Sequence, residues 1–358
     1  VNTKKQTQSC RTSAIIGIAV VTIFAYGSLN DTATGGEPQG TPYVLDPPLA
    51  LQDPARYIPE DNPLTKEKVE LGKLLFFDKR LSVNNTVSCA TCHMAELAYT
   101  DGQPVSTGVF RRQGGRSAPT AINRLYSTKQ FWDGRKESLE AQSVMPIIDH
   151  VEMGMPSHDA VAEKVNGING YHALFKNVFG TDVTIDGIGK ALASFQRTLL
   201  SGNSAVDQFD RGVSDDALSL SGQRGMEIFR NKGRCTSCHS GFNFTDEQFH
   251  NLGIGWDTGT VDLGRYRVTQ DKKDIAAFKT PTLREVSNTA PYMHDGRFGT
   301  LREVVNFYSD GGIKNPFQDS DIRVLNLTDQ EKEDVVAFLR GLSGEGWQHV
   351  TAPTEFPQ

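Results

Sequence analysis

The strongest constraint on what this chain can fold into is a short pattern that occurs twice: "CATCH" at residues 89–93 and "CTSCH" at residues 235–239. Each copy sets two thiols three positions apart, Cys89 and Cys92 or Cys235 and Cys238. An imidazole, His93 or His239, stands directly behind them. The chain has five cysteines in 358 residues, so four are committed to these two places. Related stretches lead into both. In "LGKLLFFDKRLSVNNTVSCATCH" and "RGMEIFRNKGRCTSCH", Gly72 and Phe76 correspond to Gly225 and Phe229. The chain therefore repeats one unit, a helix running into a cysteine-bearing turn.

Two cysteines and a following histidine at this spacing suit covalent haem attachment. The thiols form thioethers to the porphyrin edge, and the imidazole reaches the iron. A disulfide across two intervening residues would be strained and would leave both histidines unexplained. A redox dithiol needs no histidine, and a zinc site needs four ligands per metal. Two copies in one chain point to two covalently bound haem c groups.

Helical patterning dominates the rest. Apolar Val69, Leu71, Leu74 and Leu75 follow Thr65, and "HDAVAEKVNGINGYHALFKNVF" and "IDGIGKALASFQRTLL" have helical spacing. Thr328 and Glu331 form a capping box ahead of "DVVAFLRGL". Strands and helices do not alternate, so no parallel sheet is expected. The expected fold class is mainly α: two cytochrome c-like domains, each around one covalently attached haem c, with long irregular loops. The expected limits are 56–213 for the N-terminal haem domain and 214–345 for the C-terminal one. The turn in "DRGVSDDAL" divides them, and residues 346–358 form a tail.

The first 27 residues read as an export signal, with Lys4, Lys5 and Arg11 ahead of the apolar "SAIIGIAVVTIFAYG". An uncleaved N-terminal anchor is the rival reading. Residues 28–55, rich in Gly, Pro and Thr, form a flexible lead-in. The expected location is the periplasm, with no membrane span in the mature chain. A formal charge of −6 with mixed signs argues against nucleic acid as a partner.

Function turns on the far face of each iron. Two strong ligands make an electron carrier, whereas an open face permits chemistry on peroxide. After His93 the next histidine is His150, so no loop histidine is on offer to close the first haem. Met153 and Met155 could close it, yet they stand in "HVEMGMP" beside Glu152. A carboxylate over an open iron can move a proton from one peroxide oxygen to the other. The bland reading of Glu152 is a solvated charge.

The ordered set "LFFDKRLSVNNTVSCATCH", "QFWDGR", "VEMGM", "CTSCH", "TAPYMHDGRF" and "VVNFY" resembles the bacterial diheme cytochrome c peroxidases, in particular their MauG-like branch. The resemblance covers residues 56 to 345. It implies an N-terminal high-spin haem, five-coordinate on His93, that reacts with hydrogen peroxide. Glu152 matches the distal acid/base, and Gln142 and Pro146 match other positions of that pocket. Trp132 matches the tryptophan between the haems; by itself it would be read as a core aromatic. The second haem would be six-coordinate on His239 and a residue of the far loop. Fourteen places beyond His294, where ordinary members carry methionine, stands Tyr308, which looks like the axial tyrosine of the MauG-like branch. Met293 is the rival ligand. The family also implies a calcium ion held by Thr289 and Pro291 through backbone oxygens. Ser117 stands where the family has asparagine. His150 replaces a proline common in relatives and is expected to face solvent.

The leading expectation is a diheme c-type peroxidase that reduces hydrogen peroxide at the first haem. It would exchange electrons through the second with a small redox protein (a cytochrome c or cupredoxin) or an oxidisable protein substrate. The alternative is a non-catalytic diheme electron-transfer cytochrome.

Overall fold

The computed structural model describes residues 40–358; the expected signal segment lies outside the described residues. The chain is mainly helical, as expected. Its longer helices are α1 (Lys66–Phe77), α2 (His158–Asn166), α3 (Asn169–Phe179), α4 (Ile185–Gln196), α5 (Leu220–Arg230), α6 (Leu301–Ser309) and α7 (Asp329–Arg340). Among the described residues the only sheet is a two-stranded antiparallel one. It pairs Phe249 with Lys279 and His250 with Phe278.

Helix starts follow local chemistry. Thr65 Oγ1 accepts from the Lys68 amide at the head of α1. Thr328 and Glu331 cap α7 reciprocally, at 3.2 and 2.7 Å, as the sequence pattern predicts. The helical stretch 158–179 is divided at Gly167, because Ile168 takes an extended conformation that starts α3.

The repeated glycine has a packing reason. α1 crosses α4 so closely that a Cβ on Gly72 would stand 1.9 Å from the Ala191 carbonyl oxygen. α5 crosses α7 in the same way, and a Cβ on Gly225 would lie 1.8 Å from Asp334 O. Phe76 and Phe229, one turn on, are buried in the two separate hydrophobic cores that these crossings nucleate. Each core therefore rests on a glycine-mediated helix contact beside a cysteine motif.

Packing crosses the expected sequence limits in both directions. Val206 belongs to the second core and Trp347 to the first. Residues 346–358 fold back over the N-terminal half: Pro357 O accepts from Arg80 at 2.8 Å and Gln358 O from the Gly170 amide at 2.6 Å. A fully buried pair, Arg284 with Asp207, at 2.7 and 3.0 Å, ties the segment after the second motif to the chain before it. No helix among the described residues is long and apolar enough to cross a membrane.

Candidate functional site

The two cysteine motifs fold alike. Cys89–Cys92 forms one helical turn, and the His93 amide closes it on Cys89 O at 2.9 Å. Cys235–Ser237 makes the matching turn, closed by the His239 amide on Cys235 O at 2.8 Å. His93 Nδ1 lies 3.0 Å from Tyr99 O, and His239 Nδ1 lies 3.0 Å from Phe244 O. A neutral imidazole that donates from Nδ1 presents the lone pair of Nε2, the arrangement of a metal-ligating histidine. Burial depresses both imidazoles, His239 to about 4, which keeps that lone pair available.

The four thiols form no disulfide. Burial pushes Cys89 and Cys235 up to about 12 and Cys92 up to about 11. They fit thioether formation with a porphyrin, and so do the free Nε2 positions behind them.

Around the first motif, the chain from Pro146 to Met155 folds back on itself. The Met153 amide donates to Pro146 O at 3.2 Å and the Met155 amide to Ile147 O at 2.9 Å. Glu152 sits at the bend, near enough for its charge to bear on both Cys89 and Cys92. Burial, reinforced by Asp149, pushes its carboxyl up to about 7 against the opposing pull of Arg135. Pro146 is thus brought beside the Glu152 bend. Gln142 lies one short helix earlier, on Leu139–Ser143, and no hydrogen bond among the described residues joins it to Glu152. Met153 and Met155, 2% and 6% exposed, are packed into the first core. His150 is exposed, as expected, and only its backbone oxygen is engaged, by Arg112 at 2.9 Å.

The loop that lacks a histidine forms a hairpin over this bend. Thr107 pairs with Gln113, and the Val109 amide donates to Glu152 O at 2.9 Å. The approach requires Gly108, since a Cβ there would lie 2.0 Å from Val151 O.

Around the second motif a deep cavity is lined by Cys235, Cys238, His239, Met293, His294 and Tyr308. Tyr308 projects from α6, whose start is capped reciprocally by Thr300 and Glu303. Burial, with the nearby Cys238 and Cys235, raises its phenol well above the ordinary range. Both candidate axial side chains, Tyr308 and Met293, therefore reach the same cavity as His239.

Trp132 borders this cavity and is stapled between the halves. Its indole Nε1 donates to Ser117 O at 2.9 Å, the Ser117 amide donates to His294 O at 2.7 Å, and Trp132 O accepts from Lys279 at 2.8 Å. Ser117, Thr289 and Pro291 line the same cavity. They offer hydroxyl and carbonyl oxygens only, a set that suits a hard cation but adds no formal charge to hold it.

Two features escaped the sequence reading. Arg135 stacks 3.5 Å over the Phe131 ring and donates to both Asp133 oxygens at 3.0 Å, while opposing the rise of Glu152. Nothing in "FWDGR" tells that this arginine faces Glu152, because the two are joined only by the fold. His250 lies between Asp246 and Asp319, at 2.9 and 2.6 Å. With Cys238 and Asp246 it makes the one His/Cys/carboxylate cluster of metal-ligand spacing among the described residues. Both its nitrogens are engaged by carboxylates and Cys238 belongs to the attachment motif, so the cluster is a hydrogen-bonded network.

The sequence profile of the di-haem cytochrome c peroxidases matches residues 66–216, and that of cytochrome c matches residues 222–343. A methylamine utilization protein MauG of Methylorubrum extorquens is 42% identical over 291 residues, covering 80% of this chain and 81% of that protein. A cytochrome-c peroxidase, IdrP1, of Denitromonas iodatirespirans is 37% identical over 328 residues, covering 83% and 86%. The crystal structure of a MauG-like protein associated with microbial copper homeostasis matches with a TM-score of 0.74. It is 30% identical, and the match covers 86% of this chain and 95% of that one.

Proposed function

The chain belongs to the di-haem cytochrome c peroxidase family, with two cytochrome c-like domains and two covalently bound haem c groups, and we propose that it reduces hydrogen peroxide on the His93 side and exchanges electrons on the His239 side. Membership makes it a peroxidase or related oxidoreductase; the division of labour between the halves is our reading. In this reading Cys89, Cys92 and His93 hold one haem. Cys235, Cys238, His239 and Tyr308 hold the other. The haems supply iron that binds peroxide and exchanges electrons.

The single observation that carries the reading is the state of Glu152. Its carboxyl is half-buried beside the first motif, is pushed up to about 7 by desolvation and has no side-chain hydrogen-bond partner among the described residues. A group poised near pH 7 can take a proton from one peroxide oxygen and return it to the other, so that the O–O bond breaks with water as the leaving group. Pro146 and the hairpin at Gly108 stand beside that bend and would limit water around the carboxyl, and Gln142 is assigned to the same pocket on the family likeness alone. Trp132, hydrogen-bonded into both halves, lies on the path of an electron moving between them. Tyr308, an anionic oxygen ligand once bound, favours oxidised iron and lowers the potential relative to a thioether. The periplasm, a small redox protein or an oxidisable protein substrate, and calcium at Ser117, Thr289 and Pro291 complete the proposal.

The test is the EPR spectrum of the ferric protein before and after stoichiometric peroxide. The proposal expects one high-spin and one low-spin signal, both lost without prior reduction. Two low-spin signals indifferent to peroxide would make the protein an electron-transfer cytochrome. Tyr308→Phe should change the low-spin signal; an unchanged one would move the axial ligand to Met293.

A further inference from the structure

Beside His93, four rings follow one another. His93 and Phe76 have centroids 6.4 Å apart, Phe76 and Tyr99 6.2 Å, and Tyr99 and Trp347 6.2 Å in an edge-on contact. Tyr99 also accepts the His93 Nδ1 contact through its backbone oxygen, at 3.0 Å. Tyr99 is fully buried and Trp347 is 9% exposed, with Gln348 and His349 beyond it in solvent. Trp347 is carried by the tail that folds back from the C-terminal half, so the chain returns across the molecule to put an indole here.

Both polar atoms of this pair are buried, and neither the Tyr99 hydroxyl nor Trp347 Nε1 has a hydrogen-bond partner among the described residues. An unmade buried hydrogen bond is destabilising. Phenylalanine at position 99 and a purely apolar residue at 347 would pack without that cost. Such groups either meet water or a bound group or serve a redox role, and the succession of rings from His93 favours the last. Tyrosine and tryptophan are also the aromatic side chains that lose electrons most readily.

We propose that Trp347, reached through Phe76 and Tyr99, is an internal electron donor that is oxidised when peroxide arrives and no partner supplies electrons. The inference rests on the reading that peroxide is reduced on the His93 side. Hydrogen peroxide takes up two electrons and two protons to give two waters. The indole of Trp347 supplies the two electrons in successive steps. A water oxygen bonds to a ring carbon, and the ring and that water release two protons. The net reaction converts tryptophan and hydrogen peroxide to hydroxytryptophan and water. A phenol loses an electron only if an acceptor takes its proton, and the Tyr99 hydroxyl has none among the described residues. An indole tolerates the loss. Tyr99 therefore passes the electron and Trp347 is the end of the route.

The test treats the holoprotein with a small excess of peroxide and no donor, then locates oxygen gain by peptide mass spectrometry. The expected result is one added oxygen at Trp347, suppressed when a reduced external donor is present and lost in Tyr99→Leu. Trp347→Phe should keep turnover with the external donor but lose haem absorbance faster under donor-free peroxide. This variant tests the idea even if Tyr99→Leu does not fold. Equal oxidation at Trp347 and the bystander Trp256 would overturn the proposal, as would haem loss with Trp347 intact. Turnover with external donor, measured on the same sample, separates the two readings: if it is absent, the peroxidase reading itself has failed.

Discussion

Replacing Glu152 by glutamine keeps the size of the side chain and removes its ability to exchange a proton. Burial and Asp149 put the wild-type carboxyl at about 7, so roughly a tenth of it is ionised at pH 6 and roughly nine tenths at pH 8. If the carboxylate takes the peroxide proton, the wild-type rate should rise about tenfold from pH 6 to 8 and then level. A positioned acid/base contributes about 10²–10⁴-fold, so Glu152→Gln should be slower by that factor and flat across the same range. Stopped-flow measurement of the peroxide-dependent absorbance change at varied peroxide reads both effects. A glutamine variant as fast as wild type, or a wild-type profile flat between pH 6 and 8, would refute the assignment. The same residue makes a stability prediction of defined sign. Its folded pKa is raised above the ordinary 4.5, so the folded protein holds the proton more tightly and loses stability as pH rises from 4.5 through 7. The cost above pH 7 is at most about 3 kcal/mol. Glu152→Gln should therefore melt at or above the wild-type temperature at pH 8, while the two differ less at pH 5.

Gly225→Ala should destabilise the second core by about 3 kcal/mol or more, because its Cβ would meet a backbone oxygen at 1.8 Å; thermal melting of the haem-loaded protein checks this. Asp207→Asn leaves the buried Arg284 guanidinium without its counter-charge and should cost about 3–5 kcal/mol, read by denaturant unfolding. Trp132→Phe deletes the indole N–H that donates to Ser117. It should leave both EPR signals in the resting protein but slow the loss of the low-spin signal after peroxide. Chelation followed by calcium titration should alter and then restore the low-spin signal, with weak affinity because Ser117, Thr289 and Pro291 bring no formal charge.

The attachment chemistry was legible in the sequence because it is local. Two thiols and an imidazole within five residues meet the same group whatever the rest of the chain does, so Cys89 to His93 and Cys235 to His239 could be read directly. Helix starts at Thr65 and Thr328 were legible for the same reason, since a cap is a contact three residues long. The duplicated Gly72 and Gly225 were visible as a repeat, but their reason was not. It lies in the Ala191 and Asp334 carbonyls, more than a hundred residues away in each case. Glu152 could be named from its surroundings in sequence, yet its titration near 7 depends on burial, on Asp149 and on Arg135, which the fold alone brings together. That Met153 and Met155 are buried in the first core was likewise a matter of packing. The tail read as an appendage, whereas the tertiary structure turns it back to put Trp347 against Tyr99 beside His93. Covalent identity and spacing are properties of neighbours along the chain. Burial, charge environment and the order of rings in space depend on which distant segments close over a side chain, and those the tertiary structure decided.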